Sequence, residues 1–212
     1  MASSDFNRSV FVNCPFDDEF KSILKSILFC LIRFGLKPRI ASESFDSGEI
    51  RLKKIIELII NSKYSIHDLS RCQSSGPDEF YRMNMPFELG LDYGCKEFGG
   101  SPFDQKRILV LEEEKHRYQK ALSDMAGHDI KAHEGDYNIA VSTVRNWIWG
   151  LGGFEQIGAD KVIADYEDFL KWNARELQKR GFSLEDIADL ETNELLHMMD
   201  RWMSQNYKLS EI

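Results

Sequence analysis

Apolar positions along the chain follow two alternating rhythms. Short unbroken apolar runs give way to stretches in which apolar residues recur every three or four positions, the signatures of buried strands and amphipathic helices. Ser9 to Asn13 is the first run and predicts a strand, broken by Pro15. Behind the acidic Asp17-Asp18-Glu19, the residues Phe20, Ile23, Leu24, Ile27, Leu28 and Leu31 keep helical spacing, with Gly35 placed to end the helix. Leu36 to Ala41 predicts a weaker strand whose Pro38 suits a sheet edge. Asp46 and Glu49 resemble a capping box ahead of a helix with Leu52, Ile55, Ile56 and Ile59 on one face. Tyr64 to Leu69 reads as a third strand, Ser70 to Glu79 as a polar loop, and Met85 to Phe98 as a helix with Asn84 as its N-cap. After the Gly99-Gly100-Ser101-Pro102 break, Arg107 to Glu112 is the strongest strand signal. A helix over His116 to Met125, a strand over Ile130 to His133 and a helix over Ile139 to Trp149 complete the pattern.

Strands alternating with helices at this spacing predict an α/β fold, a flavodoxin-like three-layer sandwich around a five-stranded parallel sheet. The sheet domain is expected over residues 1–150. Beyond a glycine-rich stretch from Gly150 to Gly158 no strand pattern appears, and residues 151–212 are expected to form a helical C-terminal extension. There Ile163, Tyr166, Phe169, Leu170 and Leu177 mark one helix, and Ser183 and Thr192 are placed to cap two more. The extension is either an appendage to the sheet or a surface for self-association, so a homo-oligomer is expected.

Composition narrows the partners. A formal net charge of −8 over 212 residues argues against a general affinity for nucleic acid, which needs clustered Lys and Arg. No run approaches the roughly 20 apolar residues of a membrane span, so no membrane association is expected. Cys14, Cys30, Cys72 and Cys95 are scattered, without the pairing of a zinc or dithiol site, and point to a reduced, cytoplasmic protein.

The chemistry gathers where the strands end. Open parallel sheets bind ligands outside the carboxyl ends of their strands. The first strand delivers Asn13, Phe16 and Asp17 to that edge. The third delivers Asp68, Ser70 and Arg71, and the helix behind it carries Asn84 and Glu88. Glu88 sits about one turn into its helix, where the helix dipole favours the ionised carboxylate. His67 shares a strand with apolar neighbours, which suits a packed or hydrogen-bonded histidine better than a base. His128, Asp129, His133, Glu134 and Asp136 are metal-ligand types, but the two histidines are five apart and share a face in neither helix nor strand. No metal is expected.

The run Tyr64-Ser65-Ile66-His67-Asp68-Leu69-Ser70, followed by Asn84-Met85-Pro86-Phe87-Glu88-Leu89-Gly90, resembles nucleoside 2-deoxyribosyltransferase-like proteins and the related TIR-like proteins. There, an apolar strand ends in Asp and a loop leads to an Asn-x-x-x-Glu-Leu-Gly helix start. Val10 to Asp17 looks like the same group's first strand and loop. The resemblance covers about residues 9 to 133, and Pro86-Phe87 stands where a TIR-type Trp-Cys would be. It implies that Glu88 is a catalytic carboxylate at an anomeric carbon, that Asp68 lines the base or ribose site, and that Asn13 and Phe16 shape the pocket. The implied activity is N-glycosidic cleavage of NAD or a related nucleotide, with NAD as substrate and no cofactor, in the manner of antiviral defence effectors. The alternatives are a nucleoside or nucleotide N-glycosidase or deoxyribosyltransferase, and a non-catalytic nucleotide-signal-binding module.

Overall fold

A computed structural model describes residues 5–43, 48–71, 82–120 and 122–207. Its core is a five-stranded, wholly parallel sheet. The strands are β1 (Ser9–Asn13), β2 (Lys37–Arg39), β3 (Tyr64–Asp68), β4 (Arg107–Glu112) and β5 (Lys131–Ala132), in the order β2-β1-β3-β4-β5. The expected flavodoxin-like α/β fold with a helical C-terminal region is the one observed. Every residue of β1 and of β3 is buried, as a sheet covered on both faces requires. Pro38 lies in β2, the edge strand, opposite Val10, where its missing N–H breaks no inner ladder.

Alternation along the strands divides the core. Val10, Val12, Ile66 and Leu111 face one layer, formed by α1 (Lys21–Arg33), α4 (Tyr137–Leu151) and helices from the C-terminal region. Phe11 faces the other layer, where it packs with Ile55, Leu58 and Ile59 of α2 (Arg51–Ile60) and with Leu91 and Cys95 of α3 (Asn84–Phe98). The connection after β1 therefore runs to one face and that after β3 to the other. The gap between these two strands is the topological switch point, where ligands bind in open α/β sheets.

The C-terminal helices α5 (Ala159–Gln178), α6 (Leu184–Ala188) and α7 (Thr192–Asn206) lie over α1 and α4. Phe29 of α1 is completely buried, and its ring lies 5.4 Å from those of Tyr166 and Phe169 and 5.5 Å from that of Trp202. Of the stripe expected on α5, Ile163, Tyr166, Phe169 and Leu177 thus pack in the same cluster as the sheet, while Leu170 stays exposed. Among the described residues no helix is long and apolar enough to cross a membrane.

Several local expectations are corrected. Between β4 and β5 the described residues form 3-10 turns at Arg117–Lys120 and Ser123–Met125 instead of an α-helix. His116 has φ +66, a left-handed conformation that cannot open a right-handed helix, and Arg117 is turned back onto Glu112. On α2 the buried face is Ile55, Leu58 and Ile59, while Leu52 and Ile56 stay exposed. Asp46 lies outside the described residues, and α2 starts at Arg51 behind Ile50 with no side-chain cap. Asn84 is the first residue of α3 and not its cap, which is Met83; likewise Thr192 opens α7 behind Glu191. Ser183 does cap α6, in a reciprocal pair with Asp186.

Candidate active site

The carboxyl ends of β1 and β3 lie side by side, with Asn13 in register with His67. Because side chains alternate along a strand, His67 and Asp68 leave β3 on opposite faces. His67 points to the α2/α3 layer, edge-on to Phe11 at 5.6 Å. Asp68 points the other way, towards His133, whose ring meets Phe20 of the α1 layer at 5.9 Å. A polar network forms on each face.

On the His67 face the network runs deep. The Asn13 amide nitrogen (Nδ2) lies 3.0 Å from His67 Nδ1 and donates to the Met85 carbonyl at 3.0 Å. Both N–H groups of that amide are therefore used inwards, and its oxygen takes part in neither bond. With Nδ1 accepting, the His67 proton sits on Nε2, 3.0 Å from Asp92 Oδ2. Asp92 in turn lies 3.1 Å from the fully buried ammonium of Lys106, which also donates to the carbonyls of Ile59, at 2.8 Å, and Ser62. Burial works to raise the Asp92 pKa. The His67 hydrogen bond and the charge of Lys106 outweigh it and hold the carboxyl below its ordinary range.

On the other face, His133 Nε2 lies 3.1 Å from Asp68 Oδ2 and 3.0 Å from the Ser70 hydroxyl. The Ser70 amide donates to Asp68 Oδ1 at 2.9 Å, an Asx turn closing the strand. Ser, His and Asp together suggest a nucleophilic triad, but the hydrogen bonds exclude it. His133 Nδ1 accepts from the Gly135 amide, so Nε2 carries the proton and has no lone pair with which to take one from Ser70. The trio instead holds the Asp68 carboxylate in place.

Glu88 completes the site. It is the fifth residue of α3, past the first turn, and it is buried at 6% exposure. The helix dipole, expected from the sequence to favour its ionised form, is set against burial. Burial raises its pKa, opposed only in part by the charge of Arg51 at the start of α2. The buried Cys14 thiol feels all three acids. Its pKa is pushed up by burial and then by the charges of Asp68, Glu88 and Asp17. The joining segment, residues 72–81, lies outside the described residues.

The structure thus brings together Asn13, Asp68, Ser70 and Glu88, with Asp17 at the rim. Arg71 is engaged, donating to Asp17 at 2.7 and 3.0 Å and reaching Glu19 at 3.1 Å and Glu113 at 3.6 Å. The Arg71 hydrogen bonds hold the Asp17 carboxyl below its ordinary range. Two expected residues stand apart. Phe16 is 42% exposed and lines a cavity of about 320 Å³ between α1 and the start of α7, and Asn84 is exposed on the first turn of α3. The residues missed were Asp92, His133 and Lys106. Asp92 was open to discovery, being one helical turn beyond Glu88 and so on the same face of α3. Among the described residues no cluster of ligand-type side chains is arranged to hold a metal.

No protein-family model, no curated protein and no solved structure gives a significant match to the chain. The functional reading therefore rests on the site itself and on the sequence resemblance.

Proposed function

We propose that the chain is an N-glycosidase that cleaves the nicotinamide–ribose bond of NAD or a related nucleotide, with Glu88 as the carboxylate at the anomeric carbon. The observation that carries this reading is a buried carboxylate at the β1/β3 switch point whose pKa is raised by burial. A raised pKa means that the ionised form is poorly solvated. Such a carboxylate gains most when positive charge develops beside it, as it does on the ribose in an oxocarbenium-like transition state. Nicotinamide leaves from a cationic nitrogen as a neutral molecule, so the step needs no general acid. The Asn13 amide has both hydrogens committed to His67 and Met85, and its remaining oxygen suits a ribose hydroxyl. Asp68, fixed by Ser70 and His133, supplies a second acceptor for the sugar or base.

The raised Glu88 pKa also supports a second reading. A carboxyl that holds its proton more readily can protonate a departing purine or pyrimidine, which is the requirement of a nucleoside or nucleotide glycosidase or deoxyribosyltransferase.

The test is to incubate purified protein with NAD and, separately, with nucleosides and nucleoside monophosphates, and to separate the products. Nicotinamide release lost in Glu88→Gln is the expected result. Free base or exchanged nucleoside with NAD intact selects the second reading. Ligand-induced thermal stabilisation without turnover would replace both with a non-catalytic nucleotide-binding module.

A further inference from the structure

The α2/α3 layer ends in an apolar surface that the described residues leave exposed. Leu52, Ile56 and Ile60 follow one another at four-residue spacing on α2 and are 45%, 41% and 39% exposed. On and just before neighbouring α3, Met83, Phe87 and Phe98 are 61%, 55% and 90% exposed. At the roughly 200 Å² that a large side chain presents when free, these six expose about 650 Å². That total is of the order of the largest apolar patch on an ordinary monomer. It also approaches the ~800 Å² per partner of a stable protein–protein interface.

A second feature of the same layer is a pair of glycines on α3. Gly90 lies in the middle of α3, where alanine would serve the helix better, yet among the described residues no neighbouring group outside the helix backbone comes within 4 Å of the space its Cβ would occupy. Gly94, one turn on, meets only the edge of the Phe98 ring at 3.9 Å. Both glycines lie on the side of the helix that carries Phe87 and Phe98. They leave room for another backbone to approach closely.

We infer that this face is the contact between two copies of the chain, joined about a two-fold axis with α2 antiparallel to its counterpart near Ile56. The occupant is a second copy because the stripe is self-complementary. Antiparallel pairing sets Leu52 against the other copy's Ile60 and Ile56 against Ile56, as an isologous interface demands. The C-terminal helices, which the sequence left as either an appendage or an association surface, pack against α1.

The test is the mass of the full chain in solution by light scattering over a concentration series from about 1 to about 200 µM, with circular dichroism to confirm folding. Wild type is expected to be dimeric in the upper range. Ile56→Glu is expected to be monomeric throughout with an unchanged spectrum. Leu184→Glu, on the exposed face of α6, is expected to leave the dimer intact. Ile56→Cys is expected to give a covalent dimer under oxidising conditions that wild type does not form. A wild type that stays monomeric at the top of the series overturns the inference, as does a dimer that survives Ile56→Glu or is lost only in Leu184→Glu. Should Ile56→Glu misfold, the cross-link formed by the Ile56→Cys variant decides the matter alone.

Discussion

His67 Nε2 and Asp92 Oδ2 lie 3.0 Å apart with both side chains fully shielded from solvent. The pair sits midway along a chain of polar contacts from Asn13 at the site to Lys106 at the base of β4. It also ties together elements that are distant in sequence. The Asn13 end holds the Met85 carbonyl in the first turn of α3, and the Lys106 end holds two carbonyls at the end of α2. The helix bearing Glu88 is thus fixed at its start through Asn13 and at its middle through Asp92.

Removing Asp92 leaves a buried ammonium without its carboxylate. Asp92→Ala is expected to lower unfolding stability by about 3–5 kcal/mol, measured by urea denaturation at pH 7. The pH dependence has a defined sign. The folded-state pKa of Asp92 lies below its ordinary value of 3.8, so its contribution is complete above that value and is lost as pH falls through the lower folded value. The gap between wild type and Asp92→Ala should therefore be flat from pH 7 to 5 and narrow below about pH 4. A gap that stays constant to pH 3 would show that the ionised carboxylate is not what the variant loses.

Glu88 should behave in the opposite sense. Its pKa is raised in the fold, so the protonated form is favoured and its stabilising contribution is lost as pH rises through the folded value. Glu88→Gln keeps the shape and removes the buried charge. It is expected to melt at or above the wild-type temperature at pH 7.5, with the advantage shrinking towards pH 4. Activity should move the other way, with kcat on the cleaved substrate falling by about 100-fold or more. Stability gained where turnover is lost is the behaviour of a functional group kept at structural cost. A Glu88→Gln protein that is both less stable and fully active would place this residue in the core and not in the chemistry.

The layered sheet was legible because its strands are short apolar runs cut off by Pro15, Gly35 and the Gly99–Pro102 break, signals that are local in sequence. The edge position of β2 followed from one residue, Pro38. The acids at the strand ends were legible for the same reason, since a strand's last residue is fixed once its run is seen. What the two networks do with them was not. Lys106 reads as a surface lysine until the packing of α2 and α3 over β3 encloses it, and His133 reads as a poor metal ligand until β5 brings it to Asp68. These are contacts between elements far apart in the chain, and no local spacing encodes them. The helix expected over His116 to Met125 failed for a related reason. Its residues suit a helix, but Arg117 is committed to carboxylates behind it.

That commitment can be measured. Arg117 lies 3.1 Å from Glu114 and 3.3 Å from Glu113, contacts the buried Glu112, and donates to the Ser70 carbonyl at 2.8 Å. Arg117→Met leaves Glu112 buried without this cation and is expected to cost about 3–5 kcal/mol in chemical denaturation. Arg117→Lys should recover less than half of that, because one ammonium cannot reproduce a planar fork spanning three acids and a carbonyl. The exposed Lys37–Asp5 pair is the control, and Lys37→Met should cost under about 1 kcal/mol. Full recovery by lysine would mean that charge alone is at work.

Trp202 tests whether the C-terminal helices fold as one unit with the sheet. It is buried on α7, with Phe29 at 5.5 Å, Phe169 at 6.4 Å and Tyr207 at 5.8 Å. Arg33 of α1 lies over the Tyr207 ring at 3.8 Å and also bonds Asp165 of α5 at 3.1 Å, so aromatic and ionic contacts join the same three helices. Emptying the Trp202 site removes packing from all of them. Trp202→Ala is expected to cost about 3–5 kcal/mol. Its loss should appear in the unfolding of the whole chain, with far-ultraviolet dichroism and tryptophan fluorescence keeping one shared midpoint. If the variant instead unfolds in two steps, with fluorescence changing first and the sheet melting at the wild-type midpoint, the helices are a separable domain and the shared aromatic cluster is only a docking surface between two independently stable parts.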